Sequence, residues 1–143
     1  MLSKITTNLV VPSVNDALDF YERILGFSLV MGVPAGSQEI VTARSSDAPL
    51  AFAMIKRDDV ELMLQSQESL SQELPGLKGQ SIGGSVTLYI RVADARKLYY
   101  SSHRKVTVLK DLHTTFYGAE EFYIRDCNGY VLTFAGSPKE STA

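Results

Sequence analysis

A strand, a helix and a run of strands are met twice along this chain, offset by roughly 70–80 residues, and an internal offset of that kind marks a duplicated unit. Leu9-Val10-Val11 corresponds to Leu88-Tyr89-Ile90, and the helical segment ALDFY (Ala17 to Tyr21) corresponds to ARKLY (Ala95 to Tyr99). The repeat predicts an α+β fold made of two like modules. The first takes about residues 1–66 and the second about residues 83–137. About residues 67–82, polar and holding Pro75 and Gly76, are a linker with room for a short helical turn.

Local signals fill in each module. Thr6 to Val11 is β-branched and apolar and reads as a strand that Pro12 stops. Ser13 is placed to cap a helix, with Asp16 three residues on. Val14, Ala17, Leu18, Tyr21, Ile24 and Leu25 then recur at helical spacing, and Gly26 stands at the C-terminal exit. Phe27 to Val33, Glu39 to Ala43, Leu50 to Lys56 and Val60 to Gln65 follow as strands. In the second module Ser85 to Val92 is a strand, and Asp94 caps a helix reaching Ser102. Val106 to Lys110 and Thr114 to Tyr117 are strand-like. The stretch GAEEFYIRDCNGYVLTFAG, Gly118 to Gly136, is a closing hairpin. Its Asn128-Gly129 pair suits a tight turn because both residues tolerate positive φ, and Asp126 can bond the turn's backbone. Pro138 onward is a polar tail expected to fray.

Composition removes several classes of function. The chain has 143 residues, 45% hydrophobic and 21% charged, as in an ordinary globular domain with a sizeable core. A formal net charge of −2 and no basic run argue against nucleic acid as a partner. No apolar run approaches the length of a membrane span, so no membrane partner is expected. The opening MLSKITTNLVV lacks the apolar core of a secretory signal. The single cysteine, Cys127, makes no internal disulfide, which fits a cytoplasmic protein as well as other reducing compartments.

TNLVVPSVNDALDFYERILGF, Thr7 to Phe27, resembles the opening of the glyoxalase / bleomycin resistance protein / extradiol dioxygenase (vicinal oxygen chelate) superfamily, FYERILGF being its most specific part. YGAEEFYIRDCNGYVLTF, Tyr117 to Phe134, is similar to that family's second signature, with Cys127 where the family usually has Pro. The resemblance implies two βαβββ modules whose curved mixed sheets enclose a shared cavity, and commonly a homodimer. It also implies four metal-ligand positions, on the first and last strand of each module. Carried across, they fall on Thr6, Glu61, Ser85 and Thr133. A divalent transition metal wants three or four His, Cys or carboxylate ligands. One carboxylate with three hydroxyls is a poor set, so no metal or other cofactor is expected. The alternative is a divalent metal held by an atypical set. Without a metal the family's enolate chemistry lacks its oxyanion stabiliser.

Strand alternation extends the candidate site to both sides of these positions. Thr6, Asn8, Glu61 and Met63 face the cavity in the first module, and Ser85, Thr87, Tyr89, Arg91 and Thr133 in the second. Arg91 can equally end its strand in solvent, and Glu61 can equally be a solvated or Lys/Arg-paired carboxylate. Phe52, Met54, Phe116, Tyr117 and Phe122 are read as core or as an aromatic shelf for a flat ligand, with Tyr117 kept among the ligand-binding candidates. Glu61 and His113 are the candidate catalytic groups, the second by its ordinary pKa. A surface position in the loop DLHTT competes with that reading. The leading function is a metal-free protein that binds a small aromatic or drug-like molecule, of the antibiotic-resistance kind. The rivals are a metal-dependent lyase, isomerase or dioxygenase of the same superfamily, and an interaction module that has lost its pocket.

Overall fold

The computed structural model describes residues 1–45 and 47–137. The expected frayed tail from Pro138 lies outside the described residues. The elements run β1 (Thr7–Val11), α1 (Val14–Arg23), β2 (Ser28–Pro34), β3 (Leu50–Arg57), β4 (Val60–Ser66), α2 (Gln67–Glu73), β5 (Thr87–Arg91), α3 (Ala95–Ser102), β6 (Thr107–Thr114), β7 (Glu120–Arg125) and β8 (Val131–Gly136). They form two four-stranded mixed sheets of one topology, ordered β1-β4-β3-β2 and β5-β8-β7-β6. In each sheet the first strand pairs parallel with the last, and the other pairs are antiparallel. The chain divides into two compact units between Ser81 and Ile82.

In the first module, alternation sends Leu9, Val11, Ala53, Ile55, Leu62 and Leu64 to one face, where all are buried. Helix α1 covers β2, β3 and β4 with Val14, Ala17, Leu18 and Tyr21. Each large aliphatic side chain so buried contributes about 1.5–3 kcal/mol. The helix begins as the sequence predicts: Ser13 Oγ accepts from the Asp16 amide at 3.2 Å. At its end Gly26 takes φ +72°, and the Arg57 guanidinium donates to the Leu25 carbonyl at 2.7 Å. The opposite face of this sheet carries Asn8, Val10, Phe52, Met54, Met63 and Gln65.

The second module repeats the plan. Phe122, Ile124, Leu132 and Phe134 are buried on one face under α3, whose Asp94 cap accepts from the Lys97 amide at 3.0 Å. The opposite face carries Tyr89, Thr133, Tyr123 and Lys110 in one register row.

Several expectations are corrected. Glu39 to Ala43 is not a strand; only Val41 makes an isolated bridge, to Gly32. Ile40 is exposed, and no residue of the segment is buried, so it has no apolar face packed on a core. Thr114 to Tyr117 is not a strand either. β6 runs unbroken in chain to Thr114 with two register irregularities, and Thr115–Gly118 is a turn closed by Gly118 N–H to Thr115 O at 3.0 Å. Gly118, at φ +86°, forces that turn. His113 is consequently a half-buried strand residue and not a loop histidine. Phe116 and Tyr117 ride on the turn, exposed, and neither is core. β5 starts at Thr87, after Gly83 and Gly84 at positive φ, which leaves Ser85 outside the strand. Thr6 likewise precedes β1. The linker holds a full helix, α2, with Ser66 as its cap. In the closing hairpin only Gly129 has positive φ, +89°, and Asn128 does not. Gly129 N–H bonds Asp126 O at 3.2 Å, and Asp126 Oδ1 accepts from the amides of Asn128 and Tyr130 at 2.8 and 2.9 Å. The Asp126 side chain therefore builds a three-residue loop in place of the two-residue turn.

Candidate functional site

The outward face of the first sheet borders a groove of about 740 Å³, inside the range of small-molecule sites. Asn8 and Met63 are register partners and both line it. Val33 and Phe52 add apolar wall, and α2 supplies a polar one. Gln65 ties these parts together. It is buried, its Oε1 accepts from Asn8 Nδ2 at 2.9 Å, and its Nε2 donates to Ser69 Oγ and Glu73 Oε2, both at 3.1 Å. Because a carboxylate only accepts, Glu73 requires the Gln65 nitrogen on its side, which turns the oxygen towards Asn8. The arrangement is an apolar surface with a fixed amide pair beside it. The sequence reading named Asn8 and Met63 but missed Gln65 and the α2 wall. Parity with Met63 would have found Gln65; nothing in the linker's composition pointed to the wall.

Glu61 shares that sheet face but does not line the groove. Lys4 is hydrogen-bonded to its carboxylate and forms an ion pair with it. That bond, opposed by burial and helped by the charges of Lys4 and Lys56, holds Glu61 below the usual carboxylate value. A carboxylate so held is a poor general base, and its charge is already matched by Lys4. The four family positions thus offer one lysine-bound carboxylate and the hydroxyls of Thr6, Ser85 and Thr133. That donor set does not fit a divalent transition metal. Among the described residues no three His, Cys, Asp or Glu side chains gather closely enough to hold one.

In the second module the outward face centres on a residue the sequence reading did not single out. Glu121 is fully buried, and its Oε2 accepts from Tyr89 Oη at 2.6 Å and from Tyr117 Oη at 2.5 Å. Tyr89 and Tyr117 were read as ligand contacts; the structure brings them together on this carboxylate. The signal was available, since Glu121 has the parity of Tyr123, the register partner of Thr133. His113 sits opposite Glu121 in the register and bonds Asp111 O through Nδ1 at 2.7 Å. A carbonyl only accepts, so Nδ1 carries the proton. The His113 and Tyr123 rings meet edge to face at 5.8 Å. Thr133 is buried in the same face, while Thr87 and Arg91 are exposed and Ser85 lies exposed before the strand.

Burial pushes Glu121 up, yet the hydrogen bonds from Tyr117 and Tyr89, the His113 charge and Tyr123 outweigh it and leave the carboxyl below its usual value. The bond to Glu121, then burial and the Glu121 charge, push Tyr89 and Tyr117 above the ordinary phenol value. The linkage has two signs. A depressed carboxyl stabilises the fold above its ordinary 4.5 and loses that contribution as pH falls through the folded value. A raised phenol stabilises below its ordinary 10.0 and loses that contribution as pH rises through the folded value. We expect melting temperature against pH to decline at both ends, with Tyr89→Phe flattening the alkaline limb. An alkaline limb unchanged in Tyr89→Phe would contradict this coupling.

A family model, the Glyoxalase/Bleomycin resistance protein/Dioxygenase superfamily, matches residues 5–134. No curated protein matches the chain. Among solved structures, TioX from Micromonospora sp. ML1 is similar with a TM-score of 0.67 at 17% identity, over 94% of this chain and 98% of that one. A protein of unknown function from Agrobacterium tumefaciens str. C58 is similar with a TM-score of 0.73 at 16% identity, over 96% and 95%. A bleomycin-binding protein from bleomycin-producing Streptomyces verticillus, complexed with copper(II)-bleomycin, has a TM-score of 0.59 at 18% identity, over 98% and 100%. Identity at this level speaks for the fold alone.

Proposed function

We propose, for a chain that belongs to the glyoxalase/bleomycin resistance protein/dioxygenase superfamily, that it binds a small, flat organic molecule without a metal and without turning it over. The groove of the first module carries the reading. Phe52, Met63 and Val33 offer apolar contact, and the Asn8–Gln65 pair offers fixed hydrogen-bonding groups at one side. That combination orients a ligand. The poor donor set at Thr6, Glu61, Ser85 and Thr133 supports the metal-free part. A protein of this fold that binds copper(II)-bleomycin makes sequestration of a drug-like compound, and through it antibiotic resistance, the biological role we propose.

The test is a panel of drug-like aromatic compounds scored by thermal shift, with hits measured by calorimetry. Phe52→Ala removes the aromatic ring from the groove's lining and should weaken a hit about tenfold or more, since stacked or buried aromatic contact is worth about 1–3 kcal/mol. A hit that binds Phe52→Ala as tightly as wild type would move the site elsewhere. The proposal includes a cytoplasmic homodimer, closed two-fold assemblies being the commonest oligomers. Sedimentation at the mass of one chain would contradict the dimer.

A further inference from the structure

We propose that Glu121 is the anchor for an organic cation bearing N–H donors, an arylamidine or an arylalkylammonium. The inference stands on the second module and does not depend on the groove of the first. Its starting point is an unequal carboxylate. Both tyrosine donors go to Oε2, whereas Oε1 is buried with no hydrogen-bond partner among the described residues. An ionised carboxylate has about four acceptor sites, and a buried one left partly unfilled is costly. Among the described residues no lysine or arginine is paired with it. His113 faces it across the register and Tyr123 lies on the same face, but neither fills Oε1.

The surroundings choose the kind of donor. Tyr89 and Tyr117 are 56% and 57% exposed, and Phe116 beside them is fully exposed. Electron-rich ring faces next to a carboxylate attract a cation through both groups at once. A quaternary ammonium has no hydrogen for Oε1, so the matching ligand is an N–H cation, and an attached ring can stack on the tyrosines. Tyr117 sits on the Thr115–Gly118 turn. The contrary feature is Arg91, exposed, without an ion-pair partner among the described residues and on the same register row as Glu121. If Arg91 made the recognition contact, the ligand would be an acid.

The experiment uses benzamidine, benzyl alcohol and benzoate with the full chain. Benzamidine should raise the melting temperature saturably, and the neutral and acidic compounds should not. Glu121→Gln keeps an acceptor for both tyrosine hydroxyls and should weaken benzamidine at least about tenfold, the weight of a charge-assisted hydrogen bond. Benzoate binding as well as benzamidine, or Glu121→Gln binding benzamidine unchanged, would overturn the proposal, as would no binding of benzamidine at all. Should Glu121→Gln fail to fold, nuclear Overhauser contacts in wild type decide. They are expected between benzamidine and the rings of Tyr89 and Tyr117, and their absence at saturation overturns the assignment.

Discussion

Phe122→Ala should destabilise the protein by about 3–5 kcal/mol, the cost of deleting a fully buried aromatic ring. Phe122 has no exposed surface, and its ring lies 5.2 Å from those of both Tyr99 and Phe134. The first contact ties β7 to α3 and the second ties β7 to β8, so one truncation loosens three elements. The same strand carries Glu121 on its other face, and loss of packing behind the strand should also blur the Tyr89–Glu121–Tyr117 cluster. Urea titration gives the stability change. A loss under about 1.5 kcal/mol would mean that the site collapses around the gap or that the ring is not packed as described.

Gly136→Val should cost about 1–3 kcal/mol or more, through overpacking of a rigid neighbour. A Cβ at Gly136 would stand 3.0 Å from the Ala95 amide nitrogen, 3.2 Å from Ala95 Cβ and 3.3 Å from the Val92 carbonyl oxygen. Two of these atoms are backbone, one in the first residue of α3 and one in the connection between β5 and α3, and cannot rotate away. The helix must move off the end of β8, against the Val92 N–H to Ala135 O bond of 2.8 Å. Gly136→Ala should show a smaller loss of the same sign. Wild-type stability in the valine variant would show that β8 and α3 have slack at this crossing.

Most of the fold is legible in the chain because its signals are local and agree with one another. Ser13, Asp94 and the periodic apolar faces behind them set α1 and α3 without reference to anything distant. The errors fall where a distant partner or a competing local geometry decides. Glu39 to Ala43 has strand-forming residues but no neighbouring edge beyond one bridge to Gly32. Tyr117 looked like a strand residue, yet Gly118 at positive φ makes it part of a turn. Asn128 could have taken positive φ, but the Asp126 carboxylate binds the loop's amides and selects a different turn. The candidate site divides in the same way. Alternation placed Asn8, Met63, Tyr89 and Thr133 together on the faces read as lining a cavity, which are the faces away from the helices. It could not show that Lys4, from before β1, binds Glu61, or that two tyrosines far apart in sequence converge on Glu121.

The central claim, that small-molecule binding here needs no metal, is tested most directly by one titration. A hit from the aromatic panel is measured by calorimetry on protein dialysed against chelator, with metal content determined on the same sample. The account predicts undiminished affinity on metal-free protein, and no gain when zinc, nickel, iron or manganese is added back. Binding that disappears with the metal and returns with near-stoichiometric metal would contradict it.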